Sequence, residues 1–128
     1  EVVDYAIARI PAEKVVLGIG YYGYDWAAGK RSSVIAENNG ATYLVFADEL
    51  SKKYGLNLNL DQKSGLLFGT YTDRNGVSHE IWMESDYSVD AKAKIAVRKG
   101  LKGVALWRLG FSTPSFWDTL MDNFNPVR

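Results

Sequence analysis

The sequence predicts an α/β chain in which two buried parallel strands, separated along the chain by a small α+β unit, are set among amphipathic helices. Three observations carry this. Val15 to Ile19 is apolar or glycine without a break, the pattern of a strand covered on both faces rather than one wet on one side. Gly103-Val-Ala-Leu-Trp107 is a second run of that kind. Between them, Leu66–Thr72 and Val77–Glu84 flank Asp73-Arg74-Asn75-Gly76, and Asn-Gly between strand-like runs is a strong hairpin signal.

In chain order, Val3, Ala6, Ile7 and Ile10 recur at helical spacing, and Pro11 closes the segment, because the residue before a proline disfavours helical geometry. The first strand follows. Residues 27–41 are small, polar and turn-forming, and read as a loop. Thr42 is placed to cap a helix whose apolar positions Tyr43, Phe46, Ala47, Leu50 and Tyr54 share one face, with Gly55 as its stop. Leu56–Asp61 alternates leucine with polar residues, as a half-exposed strand does. After the hairpin, Ser88 is the expected cap of a third helix, Val89 to Lys99, with Gly100 behind it. Thr113-Pro114 opens the last helix, with Trp117, Leu120, Met121 and Phe124 as its expected stripe. The organisation is thus helix and strand over 1–42, an α+β unit over 43–84, and helix, strand and helix over 85–128. Two parallel strands leave a sheet incomplete, so this is either part of a larger barrel or a chain that associates through its open strand edges.

Composition narrows the function. The 128 residues carry 15 basic and 15 acidic side chains, so neither nucleic acid nor an anionic membrane surface is indicated as a partner. No apolar run approaches the ~20 residues a membrane helix needs. Cysteine is absent, which excludes disulfides and thiolate metal sites. The chain opens on Glu1 without a signal peptide, and a segment of a longer protein is expected. Aromatic content, 13% with four Trp and eight Tyr, is the compositional feature that asks for a role.

Part of it gathers at the carboxyl end of the first strand, where Tyr21, Tyr22, Tyr24, Asp25 and Trp26 alternate with Gly20 and Gly23. In parallel α/β sheets ligands sit at that end, so these residues form either a binding wall or a lid over the core. Two other patterns fail in context. His79-Glu80 begins a zincin motif, but position 83, where the second His belongs, is Met. Gly18-x-Gly20-x-x-Gly23 spells a dinucleotide fingerprint, yet its glycines lie within the strand and no helix opens there. No cofactor is expected. Lys52, Lys53, Lys92 and Lys94 read as solvated helix faces, and His79 as a hydrogen-bonded or solvated residue of the hairpin.

Four stretches together carry a resemblance: Val16-Leu-Gly-Ile-Gly-Tyr-Tyr-Gly-Tyr-Asp-Trp26, His79-Glu-Ile-Trp-Met-Glu84, Ser88 with Lys92, and Leu101-Lys-Gly-Val-Ala-Leu-Trp-Arg-Leu-Gly110. In this order they resemble the C-terminal third of glycoside hydrolase family 18, in particular its chitinase-like, spore-cortex-lytic type that often carries LysM modules. The resemblance implies a C-terminal fragment of a TIM (β/α)8 barrel. Val15–Tyr22 would be its seventh strand, Gly103–Trp107 its eighth, and residues 27–87 would hold an insertion. It implies an N-acetylglucosamine-containing polysaccharide as partner, chitin or peptidoglycan, and a place outside the cell at a wall or spore surface.

The resemblance also implies a division of labour. The family's general acid is the Glu of a DxxDxDxE motif on its fourth strand, and no such spacing occurs here. General acid catalysis is worth ~10²–10⁴-fold, so no catalytic residue and no hydrolysis are expected from this chain alone. What it can supply is substrate-binding surface. Trp107 matches the tryptophan under the family's central sugar, and Tyr22 the strand-seven tyrosine beside it. Tyr24, Asp25 and Trp26 continue the subgroup's pattern. Trp82, Tyr71 and Glu84 fall in the insertion, which forms a groove wall in deep-grooved relatives; Ser85 stands where the subgroup's pattern has Asp. Three readings follow: the groove-forming segment of a glycosidase, a lectin-like module that binds without cutting, or a structural fragment that self-associates or joins the rest of its barrel.

Overall fold

The computed structural model describes residues 1–28, 33–34 and 43–124; the Thr42 cap, most of the 27–41 loop and the Tyr43 side chain fall outside them. The elements run α1 (Val2–Ile7), β1 (Val16–Gly20), β2 (Gly23–Ala27), β3 (Ser33–Val34), α2 (Tyr43–Tyr54), β4 (Asn59–Leu60), β5 (Leu67–Thr72), β6 (Ser78–Met83), α3 (Asp86–Arg98), β7 (Gly103–Trp107) and α4 (Pro114–Asn123). β1 and β7 pair in parallel, from Val16 opposite Gly103 to Gly20 opposite Trp107. The other strands form an antiparallel sheet in the order β3-β2-β6-β5-β4.

Side chains alternate across a strand, and in β1 that sends Leu17 and Ile19 toward the helices. There, with Tyr21 just beyond the strand, they meet Val104 and Leu106 of β7, Val89 of α3, and Phe111, Phe116 and Leu120 around α4. Val16, Gly18, Ala105 and Trp107 look the other way and are exposed. The expectation of strands buried on both faces therefore holds on one face only. Helices cover one side of the pair, and no described element covers the other.

The helices depart from expectation in three places. α3 is capped by Ser85, three residues ahead of the expected Ser88. Ser85 Oγ accepts from the Ser88 N–H, and Ser88 Oγ accepts from the Ser85 N–H, both at 3.0 Å, so Ser88 is the reciprocal partner of the capping box rather than the cap. In α4 the inward residue is Phe116, and Trp117 and Met121 point outward. The helix is set by Thr113, whose Oγ1 accepts from the Phe116 N–H at 3.2 Å, and by Phe116 lying against the Tyr21 ring at 4.5 Å. α1 stops at Ile7, short of Ile10; Asp4 ties it to the end of α3 through Lys99 at 2.6 Å.

The antiparallel sheet begins before the expected boundary at residue 43, because β2 is one of its strands. Gly23–Ala27 pairs with β6 from Gly23 opposite Met83 to Ala27 opposite His79. The hairpin forms at the expected turn: the Asp73 N–H donates to the Val77 carbonyl at 2.9 Å, and Gly76 supplies the left-handed residue at φ +75°. Leu67, Tyr71, Ile81 and Met83 face α2, packing on Ala47 and Leu50. Leu56 and Leu58 turn into this layer as well, which is why the expected strand 56–61 shrinks to Asn59–Leu60.

Close packing behind β5 explains Gly69. A Cβ there would stand 2.5 Å from the Asn57 carbonyl oxygen, a backbone atom that cannot swing away. Gly69→Ala is expected to lower stability by ~1–3 kcal/mol, read from the urea midpoint at unchanged slope. Gly18→Ala, with nothing within 4 Å of the new atom, serves as the control and leaves the midpoint unchanged or slightly raised.

Candidate functional site

Between β1 and β2 the chain passes from one sheet to the other through two tyrosines that point opposite ways. Tyr21 is pinned on the helix side: its hydroxyl donates to Asp86 Oδ1 at 3.2 Å and lies 3.4 Å from Thr113 Oγ1. Burial pushes its phenol above the ordinary tyrosine value. Tyr22 packs against both apolar clusters. Its ring lies across Gly20, where a Cβ would meet Tyr22 Cε1 at 2.5 Å; only glycine gives the ring this seat.

From Tyr22 an aromatic row runs onto the front face of the antiparallel sheet, the face away from α2. Tyr22 and Tyr24 meet edge to face with centroids 5.7 Å apart, and Tyr24 stacks on Trp26 at 6.0 Å and 13°. Trp82 stands opposite Tyr24 on β6, with Phe68 of β5 at 4.5 Å. Trp82 Nε1 donates to Glu80 Oε1 at 2.5 Å. Tyr22, Tyr24, Trp26 and Trp82 line a cavity of about 490 Å³, which Gly20, Gly23, Leu66, Met83, Glu84 and Lys92 complete.

The charged groups of that lining are Glu84 and Lys92. Glu84 Oε1 accepts from Lys92 Nζ, and Oε2 accepts from the Ser88 hydroxyl at 2.5 Å. The Tyr22 phenol is held above its usual range chiefly by the neighbouring Tyr24 phenol, with smaller contributions from burial and the Glu84 carboxylate. Such a site combines flat apolar faces with a few placed polar groups at their edges, the composition that receives a ring with an apolar face and a hydroxylated rim.

Of the residues expected in a site, Tyr22, Tyr24, Trp26 and Glu84 are brought together here. Asp25 is not. It is 7% exposed and projects to the reverse face, hydrogen-bonded to Tyr71 and His79. Strand alternation requires this, since its neighbours Tyr24 and Trp26 take the front. Tyr71 lies on the reverse face too, stacked on His79 at 4.5 Å, so it is no part of the wall. Trp107 is 67% exposed at the end of β7, opposite Gly20, outside the cavity lining. The Trp107–Arg108 peptide is cis. Lys92, expected as a solvated helix residue, reaches into the cavity; nothing in the periodicity of α3 sets it apart from Lys94.

The geometry is that of a parallel βα sheet with aromatic residues at its carboxyl end, and the comparisons agree. The model of the family described as glycosyl hydrolases family 18 matches residues 1–111. The chain belongs to glycosyl hydrolases family 18. The "Cortical fragment-lytic enzyme" of Bacillus subtilis (strain 168) is 33% identical over 133 residues, covering 100% of this chain and 29% of that protein. Among solved structures, the spore cortex-lytic enzyme SleL of Bacillus megaterium is 31% identical with a TM-score of 0.76, over 97% of this chain and 28% of that one. A chitinase from Chromobacterium violaceum is 30% identical with a TM-score of 0.77, over 94% of this chain and 36% of that one. The family 18 chain thus spans about a third or less of these relatives. Its fold is a C-terminal part of a TIM barrel, with β1 and β7 as parallel barrel strands and an antiparallel sheet inserted between them.

Because Tyr22 rests on Gly20, Gly20→Ala is expected to displace the ring and alter the near-ultraviolet circular dichroism while the far-ultraviolet spectrum is kept. An unchanged near-ultraviolet spectrum would contradict the seat.

Proposed function

We propose that the whole protein hydrolyses β-1,4-linked N-acetylglucosamine polymers and that this chain supplies one wall of its substrate groove. The observation that carries the reading is the convergence of Tyr22, Tyr24, Trp26 and Trp82 on one cavity at the carboxyl end of β1. Indole and phenol faces stack on the apolar C–H face of a pyranose, while Glu84, Lys92 and the tyrosine hydroxyls meet its polar edge. We assign Trp107, opposite Gly20 at the end of β7 and 67% exposed, to the same groove beyond this cavity.

The polymer we favour is peptidoglycan of the spore cortex, with the protein acting at a spore or cell-wall surface. That choice rests on relatives named for cortical fragments and cortex lysis; a relative named as a chitinase makes chitin the alternative. The acid comes from residues outside this chain. No carboxylate here stands in DxxDxDxE spacing, and Glu84, the carboxylate of the cavity, already accepts from Lys92 and Ser88. The same engagement of Glu84 supports a second reading, in which the groove binds glycan without cutting it.

Calorimetric titration of this chain with N-acetylglucosamine tetrasaccharide is expected to show binding, and Trp82→Ala to weaken it roughly tenfold, the ~1.4 kcal/mol of a good stacking contact. Release of reducing ends by this chain alone, or unchanged affinity in Trp82→Ala, would overturn the assignment. Cleavage by a longer chain that includes a DxxDxDxE segment separates the hydrolase from the binding module.

A further inference from the structure

Behind the groove lies a cluster of ionisable groups that the groove itself does not use. Asp25 Oδ2 accepts from the Tyr71 hydroxyl at 2.7 Å, and Asp25 Oδ1 lies 2.7 Å from His79 Nδ1. The His79 ring is parallel to Tyr71 within 15° at 4.5 Å, and Tyr71 stacks in turn on Tyr54 of α2 at 5.2 Å. On its far side His79 Nε2 stands 3.7 Å from Asp73 Oδ2 in the hairpin turn. Asp73 itself accepts from the Asn75 and Val77 N–H groups, both at 2.8 Å. One imidazole thus connects β2, β5, β6 and the turn. Burial and the adjoining Asp25 carboxylate push the Tyr71 phenol well up, so it stays a donor.

This cluster ties β2 to the layer beneath it. Its reverse-face positions are Gly23, Asp25 and Ala27, and of these only Asp25 has a side chain long enough to reach the layer beneath. On its outer edge β2 pairs, among the described residues, with β3 at Tyr24 and Asp25. Asp25 is also the residue between Tyr24 and Trp26, whose stacked rings form the middle of the groove wall. In a strand, anchoring one residue from below sets the height and tilt of the two beside it.

We propose that Asp25 and His79 are positioning residues for the groove: they hold Tyr24 and Trp26 in the arrangement that receives the glycan, without touching it. This rests on the reading of the groove as a glycan site. The pair acts as a fixed pedestal, because charge-assisted hydrogen bonds in a buried setting are short and directional.

A double-mutant cycle on this chain tests the proposal, with N-acetylglucosamine tetrasaccharide as probe and calorimetry as readout. Asp25→Ala should weaken binding roughly tenfold in the otherwise native chain, but less than about threefold in a Tyr24→Ala/Trp26→Ala background, where nothing remains to be positioned. Asp25→Asn, which keeps the size and an acceptor oxygen, should recover most of the affinity. If Asp25→Ala does not fold, the same cycle on His79→Phe decides, since phenylalanine retains the ring on Tyr71 and removes the nitrogen that meets Asp25. Equal losses in both backgrounds would mean a general structural role and overturn the proposal. So would native affinity in folded Asp25→Ala or His79→Phe. A native chain that binds no tetrasaccharide refutes the groove reading itself, and is told apart by failing before any variant is made.

Discussion

The structure turns on the reversal of direction between Tyr21 and Tyr22. Adjacent residues of extended chain point to opposite sides, so once Tyr21 is locked against Phe116, Asp86 and Thr113, Tyr22 has to emerge on the other side. There it packs on both apolar clusters and seats its ring over Gly20. Among the described residues it is the side chain common to the barrel-strand cluster and the inserted-sheet cluster. A flexible residue at this joint would let the sheet move relative to β1. A half-buried, two-torsion aromatic ring packed on both clusters does not, and it loses little conformational freedom on being fixed.

From that joint the inserted sheet sorts its chemistry by face. The front collects Tyr24, Trp26, Phe68 and Trp82 and leaves them partly open. The reverse collects Ile81, Met83 and Leu67 against α2, and sets one polar cluster, Asp25 with His79 and Tyr71, among them. Burial of an aspartate costs free energy unless its oxygens are satisfied. Here both are. The acidic residue that looks in sequence like a member of the binding row belongs to the support of that row.

Much of the fold is legible in the sequence because the signals are local. The apolar runs mark β1 and β7, Asn75-Gly76 marks the hairpin, and the motif order marks a family 18 barrel segment. The departures have physical causes that local reading does not weigh. β2 is masked by Gly23 and by its closeness to β1, although Tyr24 and Trp26 already alternate with Gly23, Asp25 and Ala27. Ser85 and Ser88 are equally good caps by type, and the choice falls to Ser85 because its hydroxyl also donates to the Gly65 carbonyl at 2.6 Å. α4 is rotated from its expected stripe by the tertiary demand of Tyr21 for Phe116. In the site, the aromatic residues are readable from their density, whereas Lys92 is placed by an eight-residue reach back to Glu84 that no periodicity encodes. That no described element covers one face of β1 and β7 is invisible to a hydropathy pattern, which reports what the residues prefer and not what packs on them.

The central claim is that one aromatic wall, continuous from the barrel strands to the front of the inserted sheet, receives an N-acetylglucosamine chain. The four tryptophans offer a direct test, because Trp26 and Trp82 line the cavity, Trp107 is proposed to extend it, and Trp117 lies on the outside of α4 with its Nε1 donating to Ser112. In a ¹H–¹⁵N spectrum the four indole N–H signals are resolved by single substitution and followed during titration with N-acetylglucosamine tetrasaccharide. The account predicts saturable shifts of Trp26, Trp82 and Trp107 with one common dissociation constant, and a stationary Trp117. Movement of Trp117 with Trp26 and Trp82 unmoved would contradict it.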